Sequence, residues 1–209
     1  MTQPGDSIRL AELVCARLCH DLGGLIGTVG NAVDMVADDL GGGGEILAFA
    51  VTAAKSLTQR LRLLRAAWGP ETNAIDLDAL RGLTTQALAA RRIELNLDAL
   101  SPDCEFAAPT GRVLLNLILL GCDGMMKGGT IRLIGDADDL LVRLEGPGAA
   151  WPARIAVCAR DGSEAIAALS GAHSLQMPLT ALMALNAGLG LSPVLGPGSG
   201  IEALRLETP

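Results

Sequence analysis

The residues best placed to do chemistry are His20 and Asp21, an imidazole followed directly by a carboxylate. A neutral imidazole nitrogen is a good nucleophile near neutral pH, and histidine is the side chain whose charge changes in that range. Cys15 and Cys19 stand four apart beside His20 on helical spacing, a fragment of a metal site. No second histidine or carboxylate set completes it, so both read as small buried thiols. The one other histidine, His173, follows Gly171 and reads as a loop residue. No Ser/His/Asp or Cys/His pairing can be assembled unless the fold carries His173 to a nucleophile.

The element that must position His20 is a helix. At about 100° per residue, with Leu22 at zero, Ile8, Cys15, Leu18, Leu25, Ile26, Val29, Val33, Val36 and Leu40 fall within roughly 60° of that line or close to it. His20 falls about 160° away, together with Leu13, Arg17, Gly24, Gly27 and Asn31. Gly23, Gly24, Gly27 and Gly30 interrupt this pattern, each costing about 0.5–1 kcal/mol relative to alanine. Small residues beside an outward imidazole suggest a place that another molecule approaches closely. Arg17, Gly24, Gly27 and Asn31 are its expected docking positions.

This helix is expected over Asp6–Leu40, with Asp6 or Ser7 as N-cap and with Glu12 and Asp21 keeping its outer face soluble. The Gly41–Gly44 run ends it as a hairpin turn. A phosphate-cradling loop would need a preceding strand and a following Lys-Ser/Thr, and neither is there. A second helix is expected over Glu45–Trp68. Leu47, Ala50, Ala54, Leu57, Leu61, Leu64 and Trp68 alternate steps of three and four along it, a heptad seam, with Lys55, Arg60, Arg62 and Arg65 on other faces. Gly69-Pro70 stops the helix. A lone helical hairpin leaves much apolar surface wet, so two hairpins should pair into a four-helix bundle, making the protein a homodimer.

After Pro70–Asn73 the texture changes. Helices are expected over Asp76–Ala90 (Asp76 or Asp78 near the start), Pro109–Met125, Ser163–Leu169 and Leu175–Asn186. Strands are expected over Arg92–Leu97, Thr130–Ile134, Leu140–Glu145, Arg154–Ala159, Leu189–Leu195 and Ile201–Leu206. The fold class is thus α+β: a hairpin domain over 1–70, then a sheet with helices on one face over 71–209.

Composition narrows the function. Half of the 209 residues are apolar, but with two Phe, two Trp and no Tyr the core must be Leu, Ala, Val and Ile. A net charge of −7 argues against nucleic-acid binding. The start of the chain is polar, with no secretory leader, and Val113–Leu120 is too short to span a bilayer. Five cysteines without a C-x-x-C form neither a disulfide framework nor a zinc spacing, and point to the reducing cytoplasm. Gly188-Leu189-Gly190 precedes a strand rather than a helix, so it is no dinucleotide fingerprint.

Leu18-Cys19-His20-Asp21-Leu22 resembles the phosphoacceptor box of two-component histidine kinases. With Gly27-Thr28-Val29-Gly30-Asn31 it resembles more closely the ChpT-like histidine phosphotransferases of bacterial phosphorelays. The second half resembles the ATP-binding domain of histidine kinases, in a degenerate form. Asn116 matches the first Asn of that family's helix box. Its Mg²⁺-ligating Asn falls on Leu120, and the basic residue three further along falls on Asp123. Before Gly146-Pro147-Gly148, the adenine-binding Asp falls on Leu144, with Glu145 next to it. The later glycine box falls on Ser174-Leu175-Gln176-Met177.

The resemblance implies a cytoplasmic phosphotransferase with His20 as phosphoacceptor and Asp21 orienting its ring. It binds no nucleotide or other cofactor of its own, and the partner receiver supplies Mg²⁺. Implied partners are the receiver of a CckA-type hybrid kinase and CtrA- or CpdR-type response regulators. Gly24 stands where kinases that also dephosphorylate their regulators carry a polar residue, which favours transfer. Two alternatives stay open: a divergent ATP-dependent histidine kinase, and a receiver-binding scaffold that works without phosphorylation.

Overall fold

Two long helices carry the candidate site. In the computed structural model, which describes residues 4–38, 44–70, 73–196 and 200–209, α1 spans Pro4–Asp38 and α2 spans Gly44–Trp68, packed on each other as a hairpin. The glycines do not break α1: a Cβ added at Gly23, Gly24, Gly27 or Gly30 would meet nothing within 4 Å. Leu40, the Gly41–Gly43 part of the expected turn, residues 71–72 of the expected linker and residues 197–199 lie outside the described residues.

The second half opens with β1 (Ile75–Asp76) and α3 (Leu77–Ala89), whose first turn is capped by the Asp76 carboxylate accepting from the Ala79 amide at 2.7 Å. Then follow β2 (Ile93–Ala99), β3 (Glu105–Phe106), α4 (Ala108–Asp123), β4 (Gly129–Gly135) and β5 (Asp139–Glu145). Two short helices, α5 (Ile155–Cys158) and α6 (Gly162–Ala167), lead to a 3₁₀ turn at Ala172–Ser174 and to α7 (Gln176–Asn186). β6 (Gly190–Leu195) and β7 (Ile201–Glu207) close the fold. The main sheet has the order β2-β4-β5-β7-β6, parallel only between β2 and β4, where α4 makes the crossover.

Period two divides this sheet. Ile131, Leu133, Leu140, Val142, Leu204 and Leu206 are buried on one face. On the other face Arg132 is held by Glu145, Arg143 by Glu202 and Arg205 by Asp139, so no helix layer covers that side. The expected sheet with helices on one face is therefore what forms. α4 is the central helix, buried from Thr110 to Cys122 except Arg112. At Gly121 an added Cβ would lie 2.9 Å from Leu144 Cδ2 and 3.2 Å from Ile131 Cδ1, so this glycine lets α4 sit down on the sheet.

One expectation fails here, and one feature was not foreseen. Arg154–Ala159 is not a strand: Ile155 and Cys158 are buried while Val157 between them is half exposed, the i,i+3 burial of a helical turn, and this segment pairs with no strand. The two-stranded antiparallel pair of β1 with β3 was not expected either; strands of two residues carry no readable period.

The halves share one core. Leu63, Leu64 and Ala67 of α2 are buried in the same apolar cluster as α4 and the sheet, with Leu18 and Leu22 of α1 packed against it. Asn116 is the polar rivet of this joint. Its amide donates to the carbonyls of Ala67 (2.8 Å) and Arg112 (2.9 Å), and its oxygen accepts from Trp68 Nε1 (3.1 Å) and Gln176 Nε2 (2.9 Å). Every hydrogen-bonding position of this fully buried side chain is thereby used.

Candidate functional site

His20 stands out of α1 with 61% of its side chain exposed, while Asp21 beside it is only 9% exposed. The sequence put Asp21 on a soluble outer face; instead it faces inward, because two arginines meet it there. Asp21 Oδ1 accepts from Arg17 Nε at 3.0 Å, and Oδ2 accepts from Arg60 Nη2 of α2 at 2.6 Å. Burial pushes the Asp21 carboxyl up, but the hydrogen bond and charge of Arg60, the charge of Arg17 and the hydrogen bond from His20 outweigh it. Its pKa is held below the ordinary carboxylate value.

An ionised carboxylate only accepts hydrogen bonds. The 3.3 Å contact between Asp21 Oδ1 and His20 Nδ1 is therefore made with Nδ1 as donor. That fixes the tautomer: in the neutral ring the lone pair lies on Nε2. The site presents one ring nitrogen with a free lone pair on an exposed side chain.

Arg17 corrects a second expectation. It is buried, not part of an open docking face. Besides Asp21 it meets Asp123 of α4 at 3.7 Å, and its Nη1 donates to the carbonyls of Ala172 (3.3 Å) and His173 (3.4 Å) in the 3₁₀ turn. Asp123 is held in turn by Arg91 at 3.0 Å. Leu13, expected beside His20 on the outer face, packs with Leu10 and Val14 against Leu169, Leu175 and Leu179. The α6–α7 segment thus lies along α1 up to His20. Beyond it Gly24, Gly27 and Asn31 are exposed.

Cys15 and Cys19 are exposed as well, not buried. They belong to an uncovered apolar stripe on α1 with Ile8, Ile26 and Val33. Similarly the α2 seam divides: Ala50 and Leu64 are buried within the chain, Leu57 and Trp68 half-buried, and Leu47, Ala54 and Leu61 remain exposed. Among the described residues no group of three or more His, Cys, Asp or Glu side chains is placed to hold a metal ion. Among the described residues no helix is long and apolar enough to cross a membrane.

Two members of the site escaped the sequence. Arg60 read as one of several cations on faces of α2 other than its seam, since its pairing with Asp21 depends on how the hairpin is registered. His173 read as a loop residue. The structure brings its ring to 4.8 Å from the His20 ring, centroid to centroid, at an interplanar angle of 83°. No local pattern signals this contact, because the whole second half must fold to make it.

The positions aligned with nucleotide-binding groups are occupied by other contacts. Asn116 is fully bonded at the joint, Leu120 and Gln176 are buried, Asp123 pairs with Arg17 and Arg91, and Glu145 pairs with Arg132.

Residues 77–196 match the family model described as the histidine phosphotransferase C-terminal domain. The chain is 25% identical over 195 residues to "Protein phosphotransferase ChpT" of Brucella abortus (strain 2308), covering 89% of this chain and 90% of that one. Among solved structures it superposes on "1.7 Angstrom Structure of a Bacterial Phosphotransferase" with a TM-score of 0.70 at 24% identity, over 99% of this chain and 97% of the other, a likeness of fold.

Proposed function

Because the chain belongs to the histidine phosphotransferase family whose C-terminal domain it carries, we propose that it is a dimeric phosphorelay carrier: it takes a phosphoryl group from the receiver of a hybrid histidine kinase onto His20 and passes it to response-regulator receivers. The observation that carries this reading is the Asp21–His20 contact, which leaves Nε2 as the free nucleophile of an exposed ring.

The chemistry balances without an external acid or base. The Nε2 lone pair attacks the phosphorus of an aspartyl phosphate. The N–P bond forms as the acyl P–O bond breaks, and the receiver's carboxylate leaves with that electron pair. The ring keeps its Nδ1 proton and becomes cationic, next to the Asp21 carboxylate. In the second transfer an acceptor carboxylate attacks, the N–P bond breaks, and its electron pair returns to Nε2. In-line geometry and charge neutralisation are the main needs of such a transfer. The approaching receiver brings Mg²⁺ for the phosphoryl oxygens, and Gly24, Gly27 and Asn31 give it an uncluttered face. Nucleotide has no part in this reading, which is supported by the engagement of Asn116 in the joint and of Asp123 and Glu145 in ion pairs.

A second copy covers the stripes that one chain leaves bare. On α1 these are Ile8, Ile26 and Val33, and on α2 Leu47, Val51 and Leu61, all at least 45% exposed. With the exposed Cys15 and Cys19 the α1 stripe advances in steps of seven and four, and with the exposed Ala54 the α2 stripe in steps of four, three and seven, which suits a four-helix bundle. The resemblance supplies a CckA-type kinase as donor and CtrA- and CpdR-type regulators as acceptors, all in the cytoplasm.

Phosphotransfer profiling tests this reading. A receiver carrying labelled phosphoryl is mixed with the protein, and a panel of receivers is then offered as acceptors. Wild type should take the label and lose it to a small subset of receivers, and His20→Ala should take none while melting within about 0.5 kcal/mol of wild type. Label retained by His20→Ala would overturn the assignment. Calorimetric titration with ATP should show no binding; saturation would favour a divergent kinase.

A further inference from the structure

The second half of the chain reaches the phosphoacceptor at the turn Ala172–Ser174, and this turn is built to hold a side chain still. Arg17 Nη1 donates to two of its carbonyls, those of Ala172 and His173. Ser174 Oγ donates to the Gly171 carbonyl at 3.2 Å and shares a hydrogen bond with Ser170 Oγ at 2.8 Å. Leu175, next in the chain, is fully buried against Leu169 and Leu179, where Leu10, Leu13 and Val14 of α1 also pack. What this anchoring presents is the exposed ring of His173, nearly perpendicular to His20 with 4.8 Å between centroids. The guanidinium that fixes the turn also fixes Asp21, which sets the tautomer of His20. One buried arginine thus places both imidazoles.

We propose that His173 is a second functional imidazole of the site, donating an N–H hydrogen bond to a phosphoryl oxygen while the group is bound to Nε2 of His20 and while it is arriving or leaving. The inference rests on His20 being the phosphoacceptor. A phosphoryl group on the exposed nitrogen of one ring extends into the space beside the other. An imidazole has at least one N–H in either protonation state, so the donor is always present. Hydrogen bonds to a charged acceptor are the strong ones, and a donor held in place before the reaction pays no reorganisation as charge shifts. No bond to His173 forms or breaks. The nucleotide-free domain thereby supplies part of the transfer site.

The test compares wild type with His173→Ala and His173→Gln, which keeps an N–H donor of similar reach; His20→Ala serves as control. Single-turnover acceptance from a labelled receiver gives the rate. ³¹P NMR of protein phosphorylated with phosphoramidate gives the environment of the phosphoryl group without any receiver present. The Ala variant should melt like wild type and accept label about 10–100-fold more slowly, with a shifted phosphohistidine resonance. The Gln variant should recover most of the rate. Wild-type rate and resonance in the Ala variant would overturn the proposal, and so would equal slowing by Ala and Gln. Failure of wild type to take label, or label on His20→Ala, overturns the phosphoacceptor assignment itself and this inference with it.

Discussion

The outer face of α1 is two surfaces that meet at His20. On the N-terminal side, Leu10, Leu13, Val14 and Arg17 are covered by the α6–α7 segment, with an arginine serving three elements at once. On the C-terminal side, Gly24, Gly27 and Asn31 are bare, and added Cβ atoms at the two glycines would touch nothing within 4 Å. One side is locked and charged, the other open and nearly without side chains. An imidazole at such a border has its tautomer fixed from the locked side, and under the proposed function its free nitrogen is approached from the open one.

The sharpest way to break the contrast is to remove the charge that organises the locked side. Asp21→Asn leaves Arg17 and Arg60 around a neutral amide that no longer selects the Nδ1–H tautomer. The rate of phosphoryl acceptance should fall by about 10²–10⁴-fold, as expected when the group orienting an imidazole loses its charge. Stability should fall by roughly 1.5–3 kcal/mol, from charge-assisted hydrogen bonds lost at a buried position. Stopped-flow transfer and urea unfolding on one variant measure both.

Next in size is the stripe belonging to neither side, which we assign to a second copy. Leu61→Asp places a carboxylate where one chain leaves leucine 45% exposed. The fold should survive, but burying the new charge in a bundle should cost association about 2–4 kcal/mol. Light scattering should show the wild-type dimer dissociating to a folded monomer in the variant. A wild-type protein that stays monomeric at high micromolar concentration would remove the bundle from this account.

A smaller effect appears in acid. The Asp21 pKa is lowered in the folded state, so its contribution is fully present above the unfolded carboxylate value of about 3.9 and is lost as pH falls through the folded value. Asp139 and Glu145 are also lowered by their arginines and titrate in the same limb. The difference between wild type and Asp21→Asn isolates the site. Their stabilities should be furthest apart near neutral pH and converge as pH falls through the lowered Asp21 value. A constant gap would mean that the carboxylate is not held by charge.

The open side of this border was readable from the sequence and the locked side was not, for a physical reason. Helical spacing placed His20, Gly24, Gly27 and Asn31 on one line because it describes a helix by itself. It could not show that a second unit covers that line at Arg17 and Leu13, since a contact between α1 and residues 172–173 is a property of the tertiary fold. The fold class and nearly all elements were legible, because Leu, Val and Ile repeat at two or at three and four over five or more residues. The errors fell where that signal is shortest, in the single turn of α5 and the two-residue β1 and β3. Polar partners such as Arg60 and His173 carry no period.

The smallest expected effects concern the glycines, and there the two halves of the comparison predict opposite signs. In a helix each glycine costs about 0.5–1 kcal/mol relative to alanine, and Gly24 and Gly27 have open space where a Cβ would go. Gly24→Ala and Gly27→Ala should therefore raise stability by about that amount each, and the double variant by their sum, because neither side chain gains a contact that could oppose it. Larger residues separate packing from approach. Gly24→Leu should be no less stable than wild type, yet it puts an isobutyl group about one turn beyond His20, on the side where we propose that a receiver docks. Transfer from a receiver should slow while labelling by phosphoramidate, a far smaller donor, stays near the wild-type rate. If the leucine variant instead loses 1–3 kcal/mol, as overpacking would cause, then this face is buried in the dimer and the receiver comes from elsewhere. Equal slowing with both donors would place the defect in the imidazole rather than in docking. A thermal melt and two labelling time courses on Gly24→Leu thus decide whether the bare half of α1 is kept bare for a partner.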